Sequence, residues 1–346
     1  MFVIFIMVIV LYSQLCSSIQ FTTTIRPDLN SIFNPKTNWN WLGGDSSASI
    51  QLQQYNKGSL WIFGDTLRGQ LIHNGTQREI DSMPHSSLAL LQRQSTHNKS
   101  KTLHSSRQSQ PQPQPQPTFI FPSSTRGIFS PPLPAPLTSY YWLIDGVVGH
   151  DTGKLFLQAM VINGSVDGFE QLGSDLIIVD NPNSSVEQWI HRSIRLPFTN
   201  NSFTSNEGIG QMNGYLYMMG KCNGTSACLS RVIEKDIAAA TTNDSIHYTI
   251  EYFSGPNNGI WSSNASDSTV LFTNLFTEGT LKYNHYIGWY IILCQAYDSF
   301  VRLAYTGSGT NIEGPWNMVN LYEIPIIDRT NGTFSYAAIL WLAEVI

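Results

Sequence analysis

Four carboxylates, Asp45, Asp145, Glu207 and Glu278, each stand at the head of a short run of small residues, at intervals of 100, 62 and 71 positions. One carboxylate that takes a proton from water and one carboxylic acid that gives a proton to a leaving group make up general acid/base hydrolysis. A further carboxylate close by raises the proton affinity of the acid by like-charge repulsion. Residues this far apart do such chemistry together only if the fold brings the chain back to one place at each interval. Asp65 in Gly64-Asp65-Thr66 and His85 in Met83-Pro84-His85-Ser86-Ser87 add polar groups, and Trp41 and Trp142 add flat faces on which a ring can stack. Each has a structural reading beside the chemical one. Asp45 follows Gly43-Gly44 and Asp65 ends a strand, places where aspartate caps a turn through its own backbone. Tryptophans pack between sheets, and Glu207 follows a polar stretch that reads as solvent-exposed.

The intervals have a structural explanation. Ala48–Leu52 alternates, turns at Tyr55-Asn56-Lys57-Gly58 and returns as the aromatic strand Leu60–Phe63, a hairpin. Similar units open near Asp145, Glu207, Glu278 and, 58 positions later, Tyr336. Their paired strands are Gly146–Val148 with Leu155–Val161, Gly208–Gly210 with Tyr215–Met219, and Thr280–Tyr283 with Trp289–Leu293. Asp175–Val179, Thr249–Phe253 and Val301–Tyr305 supply further strands. Residues 93–125, which include the Gln-Pro repeat 110–117, have little to bury and read as a disordered Gln/Ser/Pro-rich insertion. Removing them brings the first interval to about 67, in line with the others. Units of roughly 60 residues with four strands have the form of propeller blades, small first strands suiting the crowded channel wall. A β-sandwich accounts for the strands but not for the recurring acid. The expected fold is therefore all-β, a five-bladed β-propeller over 37–346 whose fifth blade, opening at Phe334–Ala338, is incomplete.

Composition narrows the class. Of 346 residues, 12% are charged and 12% aromatic, a balance that favours short strands and turns over long helices. A net charge of -5 carries no basic footprint, which argues against nucleic acid as a partner. Phe2–Tyr12 is an unbroken apolar run, too short to span a bilayer but suited to a signal peptide over 1–18, with an N-terminal segment over 19–36. Asn-x-Ser/Thr acceptors at Asn74, Asn98, Asn163, Asn183, Asn200, Asn223, Asn243, Asn264 and Asn331 agree with export. The expected product is secreted, with no stable membrane association once the leader is cleaved. Cys16 leaves with the leader, Cys222 and Cys228 flank a short loop that a disulfide closes, and Cys294 reads as a buried core residue. No Cys/His spacing suits zinc.

The runs Trp41–Ile50 (W-L-G-G-D-S-S-A-S-I), Leu60–Thr66 (L-W-I-F-G-D-T), Tyr140–Val148 (Y-Y-W-L-I-D-G-V-V), Phe276–Asn284 (F-T-E-G-T-L-K-Y-N) and Gly314-Pro315-Trp316 resemble a group of secreted five-bladed β-propeller proteins known mainly as domains of unknown function. That group is similar in fold to the arabinanase and β-xylosidase type of glycoside hydrolases. The resemblance covers roughly 37–338 apart from the insertion. It implies an inverting glycoside hydrolase acting on an extracellular polysaccharide or other glycan. The resemblance makes Asp45 the base, Asp145 the supporting carboxylate and Glu278 the acid, with Glu207 the second choice for acid. Carboxyl groups about 6.5–9.5 Å apart would hold the attacking water between them. Trp41, Asp65, His85 and Trp142 would contact the sugar. No cofactor is implied beyond a structural calcium ion of the kind the hydrolase resemblance allows. Related members continue from Tyr-Ala-Ala into His-Pro-Glu, where this chain has Ile339-Leu340-Trp341. The alternatives are a non-catalytic, lectin-like glycan binder, a structural secreted propeller, or a truncated, inactive member of the group.

Overall fold

The computed structural model describes residues 32–33, 40–45, 48–52, 58–73, 77–91, 116–123, 126–132, 136, 138–164, 170–199, 203–241, 248–255, 261–275, 277–285, 287–295, 300–307 and 311–323. The leader, most of the segment 19–36, the insertion as far as 115 and the unit opening at 334 lie outside these residues.

The described chain is all-β, in five sheets, with one short helix, Glu234–Ala239. The first region contains β1 (Gly43–Gly44), β2 (Ala48–Leu52), β3 (Gly58–Phe63), β4 (Thr66–Ile72), β5 (Gln77–Ser82), β6 (Ser87–Leu91) and β7 (Pro117–Ile120). Strands β2, β3, β6 and β7 form an antiparallel sheet in that order, and β1, β4 and β5 form a small side sheet. The second sheet runs β8 (Tyr140–Val148), β9 (Leu155–Asn163), β10 (Glu170–Val179) and β11 (His191–Leu196). The third runs β12 (Phe198–Thr199), β13 (Phe203–Met212), β14 (Tyr215–Cys222), β15 (Ser226–Ile233), β16 (Glu251–Phe253) and β17 (Trp261–Ser262). The fourth runs β18 (Thr277–Asn284), β19 (Trp289–Gln295), β20 (Phe300–Thr306) and β21 (Trp316–Glu323).

The hairpins expected from the sequence are present, with one correction. Strand β7 falls inside the stretch read as a disordered insertion, and Pro117 to Ile120 pair with Leu91 to Leu88. Proline is tolerated at the first position of an edge strand, so a Pro-rich approach hid a genuine fourth strand. The side sheet was not foreseen either, because Gln77–Ser82 is almost wholly exposed and has no apolar alternation to read.

Four sheets stack face to face in series, as blades do. Ile50, Leu60, Ile62 and Leu88 of the first meet Tyr141, Leu143, Leu157 and Ile177 of the second. Phe156, Leu176 and Ile178 on the second sheet's other face meet Ile209, Leu216 and Met218 of the third. Tyr217, Met219 and Leu229 then meet Leu281, Ile292 and Ala304 of the fourth. A sheet buried on both faces needs apolar residues at successive positions, which is why Leu155–Ile162 reads as an almost continuous apolar run.

The first strands of these sheets converge. β2 packs on β8, β8 on β13, β13 on β18, and β18 also reaches β8. Their approach explains the recurring acid–glycine pairs. A Cβ on Gly146 would lie 2.5 Å from Ile50 Cδ1, one on Gly208 2.9 Å from the Leu281 nitrogen, and one on Gly279 2.7 Å from the Glu207 carbonyl oxygen. Irregular register at Leu143/Asp145, Thr204/Gly208 and Thr277/Thr280 turns backbone N–H groups out of the ladders. Asp145, fully buried, collects them. Its Oδ1 accepts from the Gly146 nitrogen (2.8 Å) and Lys282 Nζ (2.6 Å), and its Oδ2 accepts from the nitrogens of Ile209 and Leu281 (3.1 Å each).

Replacing Asp145 with alanine removes these acceptors and leaves the Lys282 ammonium group buried beside Gly146. The expected loss is about 3–5 kcal/mol, read as a lower urea midpoint. A midpoint within error of the parent protein would show that the three strands do not depend on this carboxylate.

Candidate active site

The loop after β1 is pinned to the loop after β3. The Asp45 N–H donates to the Asp65 carbonyl (3.0 Å), and the Gly64 N–H donates to the Asp45 carbonyl (2.9 Å). Thr66 locks the second loop, its N–H donating to the Pro84 carbonyl (2.9 Å) and its buried hydroxyl bonding Ser87 (2.7 Å). Pro84-His85 is thereby brought beside Asp65, and Asp65 Oδ1 bonds His85 Nδ1 at 2.8 Å. The imidazole lies flat on the Tyr140 ring, with centroids 3.5 Å apart and planes at 9°. Burial first, then the charges of Asp65 and Asp45, push the Tyr140 hydroxyl up to about 12.

Tyr140 and Trp142 share one face of β8, in a buried group with Ile144, Met160 and Ile162. Trp142 also lies near Glu278, whose ionised form its indole favours. Glu278 sits in the irregular start of β18 with φ 46°, a left-handed conformation that is costly for a non-glycine residue. Its Oε2 is buried with no hydrogen-bond donor. Burial raises its pKa to about 8, reinforced by the charges of Asp45 and Glu207 and opposed by the Trp142 N–H and by Lys221. Glu278 is thus a carboxylic acid that keeps its proton near neutral pH within reach of other carboxylates.

Glu207 is 1% exposed, correcting the solvent-exposed reading. Its Oε1 meets Lys221 Nζ at 2.8 Å, and the Gly279 N–H points at the same carboxylate. Burial raises its pKa, against the pull of Lys221 and that N–H. The Cys222–Cys228 disulfide is formed, with Cα atoms 5.9 Å apart, and fastens the hairpin end that carries Lys221. Cys294 is a buried free thiol whose pKa is pushed up to about 12 by burial and by the Glu207 charge.

Asp45, Asp65, His85, Trp142, Glu207 and Glu278 therefore belong to one neighbourhood. Two expected members are engaged in other contacts. Asp145 has both oxygens committed to neighbouring strands, as described above. Trp41 is 5% exposed and stacks on Phe119 (4.7 Å, 19°), on the face of the first sheet that turns away from the second. Its place is explained by an aromatic cluster with Phe33, Trp61 and Phe63. Tyr140, Lys221 and Lys282 were not singled out from sequence. Tyr140 had a local signal, lying two residues before Trp142 and so on the same side of the strand, whereas the lysines had none. Among the described residues no group of three His, Cys, Asp or Glu side chains is arranged to hold a metal ion, and no helix is long and apolar enough to cross a membrane.

Fold and site together define an all-β, propeller-like protein with a carboxylate cluster where its first strands converge. The chain belongs to the family described as domain of unknown function (DUF5005), whose model matches residues 28–343. No curated protein matches it. Among solved structures it is similar to a putative hydrolase from Bacteroides ovatus, with a TM-score of 0.56 and 13% identity over 86% of this chain and 74% of that one. The catalytic domain of a GH62 α-L-arabinofuranosidase from Coprinopsis cinerea aligns with a TM-score of 0.43 and 9% identity, over 85% and 73% of the two chains. A Hadza microbial sialidase, Hz136, aligns with a TM-score of 0.39 and 11% identity, over 82% and 46%. At these identities the likeness to the Bacteroides protein is one of fold.

The raised pKa of Glu278 has a stability consequence. A carboxyl at about 8 in the folded chain and at its ordinary 4.5 when unfolded contributes stability below 4.5 that is lost as pH rises through 8. Glu278→Gln cannot ionise, so its thermal midpoint should gain on the parent's between pH 5 and pH 9. A difference that stays constant with pH would mean that Glu278 titrates like an exposed carboxyl.

Proposed function

We propose that the protein is a secreted five-bladed β-propeller that hydrolyses glycosidic bonds in an extracellular polysaccharide with inversion. The observation that carries this reading is Glu278, a half-buried residue with a buried Oε2, whose pKa is raised to about 8 by burial and by the charges of Asp45 and Glu207. An inverting hydrolase needs that pairing, one acid to protonate the leaving oxygen and one base to activate water. Glu278 is the acid and Asp45 the base. Glu207, not Asp145, is the supporting carboxylate, since its charge acts on Glu278 while Asp145 is occupied with backbone N–H groups and Lys282. Asp65, His85 and Trp142 contact the sugar. The stacked sheets are four of the blades and the segment from 334 opens the fifth. Residues 1–18 are the leader, followed by a segment over 19–36 and the propeller over 37–346. Export is in keeping with the acceptor asparagines Asn183, Asn223 and Asn264, which are exposed.

Arabinan, xylan, arabinoxylan and the corresponding aryl glycosides are the first substrates to test, with the product anomer followed by NMR. Glu278→Gln and Asp45→Asn should each lower kcat by about 10²–10⁴-fold with little change in KM. The parent rate should fall as pH rises through about 8, as the acid loses its proton. Full activity in either variant rules out its assigned role. Glycan binding without turnover in the parent protein turns the reading to a lectin-like propeller.

A further inference from the structure

His85 is held in two directions. The bond from its Nδ1 to Asp65 Oδ1, at 2.8 Å, fixes how the ring is turned within its plane. The stack on Tyr140, with centroids 3.5 Å apart and planes at 9°, fixes the plane itself. The chain around the pair is clamped as well. Thr66 Oγ1 donates to the Gly64 carbonyl (3.1 Å), and Ser86 Oγ accepts from the Ile128 nitrogen (3.0 Å). No second hydrogen bond joins His85 to a described residue, so Nε2 is the ring's open polar atom. The side chains of His85 and Asp65 are 26% and 21% exposed, so the pair faces solvent and is not closed off in the core.

The Asp65 bond decides what Nε2 offers. An ionised carboxylate only accepts, so Nδ1 carries the ring proton, and in a neutral imidazole the other nitrogen is then bare. Nε2 is therefore an acceptor with a carboxylate behind it. A sugar hydroxyl donates to such a nitrogen, whereas a sugar carboxylate brings a second acceptor and a further negative charge. The pair also lies close to the assigned base, since the hydroxyl of Tyr140, on which His85 rests, feels the charges of both Asp65 and Asp45.

Taking the carboxylate cluster as a glycan site, we infer that His85 is a specificity-determining residue that accepts a hydrogen bond from a sugar hydroxyl at Nε2. Asp65 is the positioning residue that keeps this nitrogen bare. Together they select a free hydroxyl over a carboxylate at that position of the sugar.

The test uses the full-length parent, Asp65→Asn, His85→Ala and Glu278→Gln. At slightly alkaline pH, imidazole nitrogen NMR should show Nδ1 protonated and Nε2 bare in the parent, with His85→Ala assigning the signals. In Asp65→Asn the amide can donate to Nδ1 and the ring proton moves to Nε2, the wrong tautomer that the same change produces in a Ser-His-Asp triad. Arabino-, xylo- and galacto-oligosaccharides, with oligogalacturonides as the acidic series, are titrated by calorimetry. The parent should bind at least one neutral series, and bind it more tightly than the acidic one. Asp65→Asn should weaken that binding about tenfold or more with little change in thermal midpoint, because the backbone bonds of residue 65 remain. A merely structural pair would lower the midpoint and leave the affinity alone. Affinity unchanged once the proton has moved, or lost while Nε2 stays bare, overturns the inference. So do a protonated Nε2 in the parent, no binding by the parent, and tighter binding of oligogalacturonides. If Asp65→Asn melts early, His85→Gln, whose amide oxygen can stand in for Nε2, should bind better than His85→Ala; equal loss in both overturns the inference. Binding that depends on Asp65 and His85 in a parent without turnover keeps the pair's role and sinks the hydrolase. Turnover that Glu278→Gln abolishes but Asp65→Asn leaves at the same KM, with the proton on Nε2, keeps the hydrolase and sinks the pair's role.

Discussion

The close approach of the first strands is the constraint from which the rest of the structure follows. Where β8, β13 and β18 converge there is no room for a side chain after the acid, so glycine stands at 146, 208 and 279. The same crowding breaks regular pairing, and the freed N–H groups must find acceptors away from water. Asp145 answers for two neighbouring strands at once. Glu207 does the same for the Gly279 N–H. The acids at the heads of the repeating units are thus first a solution to a backbone problem.

Chemistry enters through the difference in how the buried acids are neutralised. Asp145 has Lys282 at 2.6 Å and Glu207 has Lys221 at 2.8 Å. For Glu278, burial and the charges of Asp45 and Glu207 outweigh the opposing pull of the Trp142 indole and of Lys221. Burial raises the proton affinity of all three acids, and Lys282 and Lys221 oppose that rise at Asp145 and Glu207. One repeated sequence feature has therefore become three acids in different surroundings, two of them with a lysine at hydrogen-bonding distance.

The first sheet contributes in another way. Its loops at Asp45, Asp65 and His85 are tied to one another by backbone bonds and by the buried Thr66–Ser87 contact. They rest on the second sheet through the His85–Tyr140 stack. A cluster assembled from strand ends and short pinned loops keeps its geometry better than one built on long loops.

What the sequence determined by itself was local. Alternation and turn residues marked the hairpins, the small-residue first strands marked the crowded wall, and Cys222 and Cys228 were near enough in the chain to be paired by inspection. Strand β7 escaped because its Pro-rich approach carries the signature of a loop, and the exposed β5 because it has no apolar pattern. The packing of Trp41 on Phe119, Phe63 and Phe33 was likewise not legible in the sequence. The tertiary structure alone decided which acid ties neighbouring strands together, which meets a lysine and which has its pKa raised to about 8. That decision rests on partners far off in the chain, such as Lys282, 137 positions from Asp145, and on burial that comes into being only when the sheets stack. Periodicity records where a residue lies along a strand, but a carboxyl's proton affinity is set by what surrounds it in space.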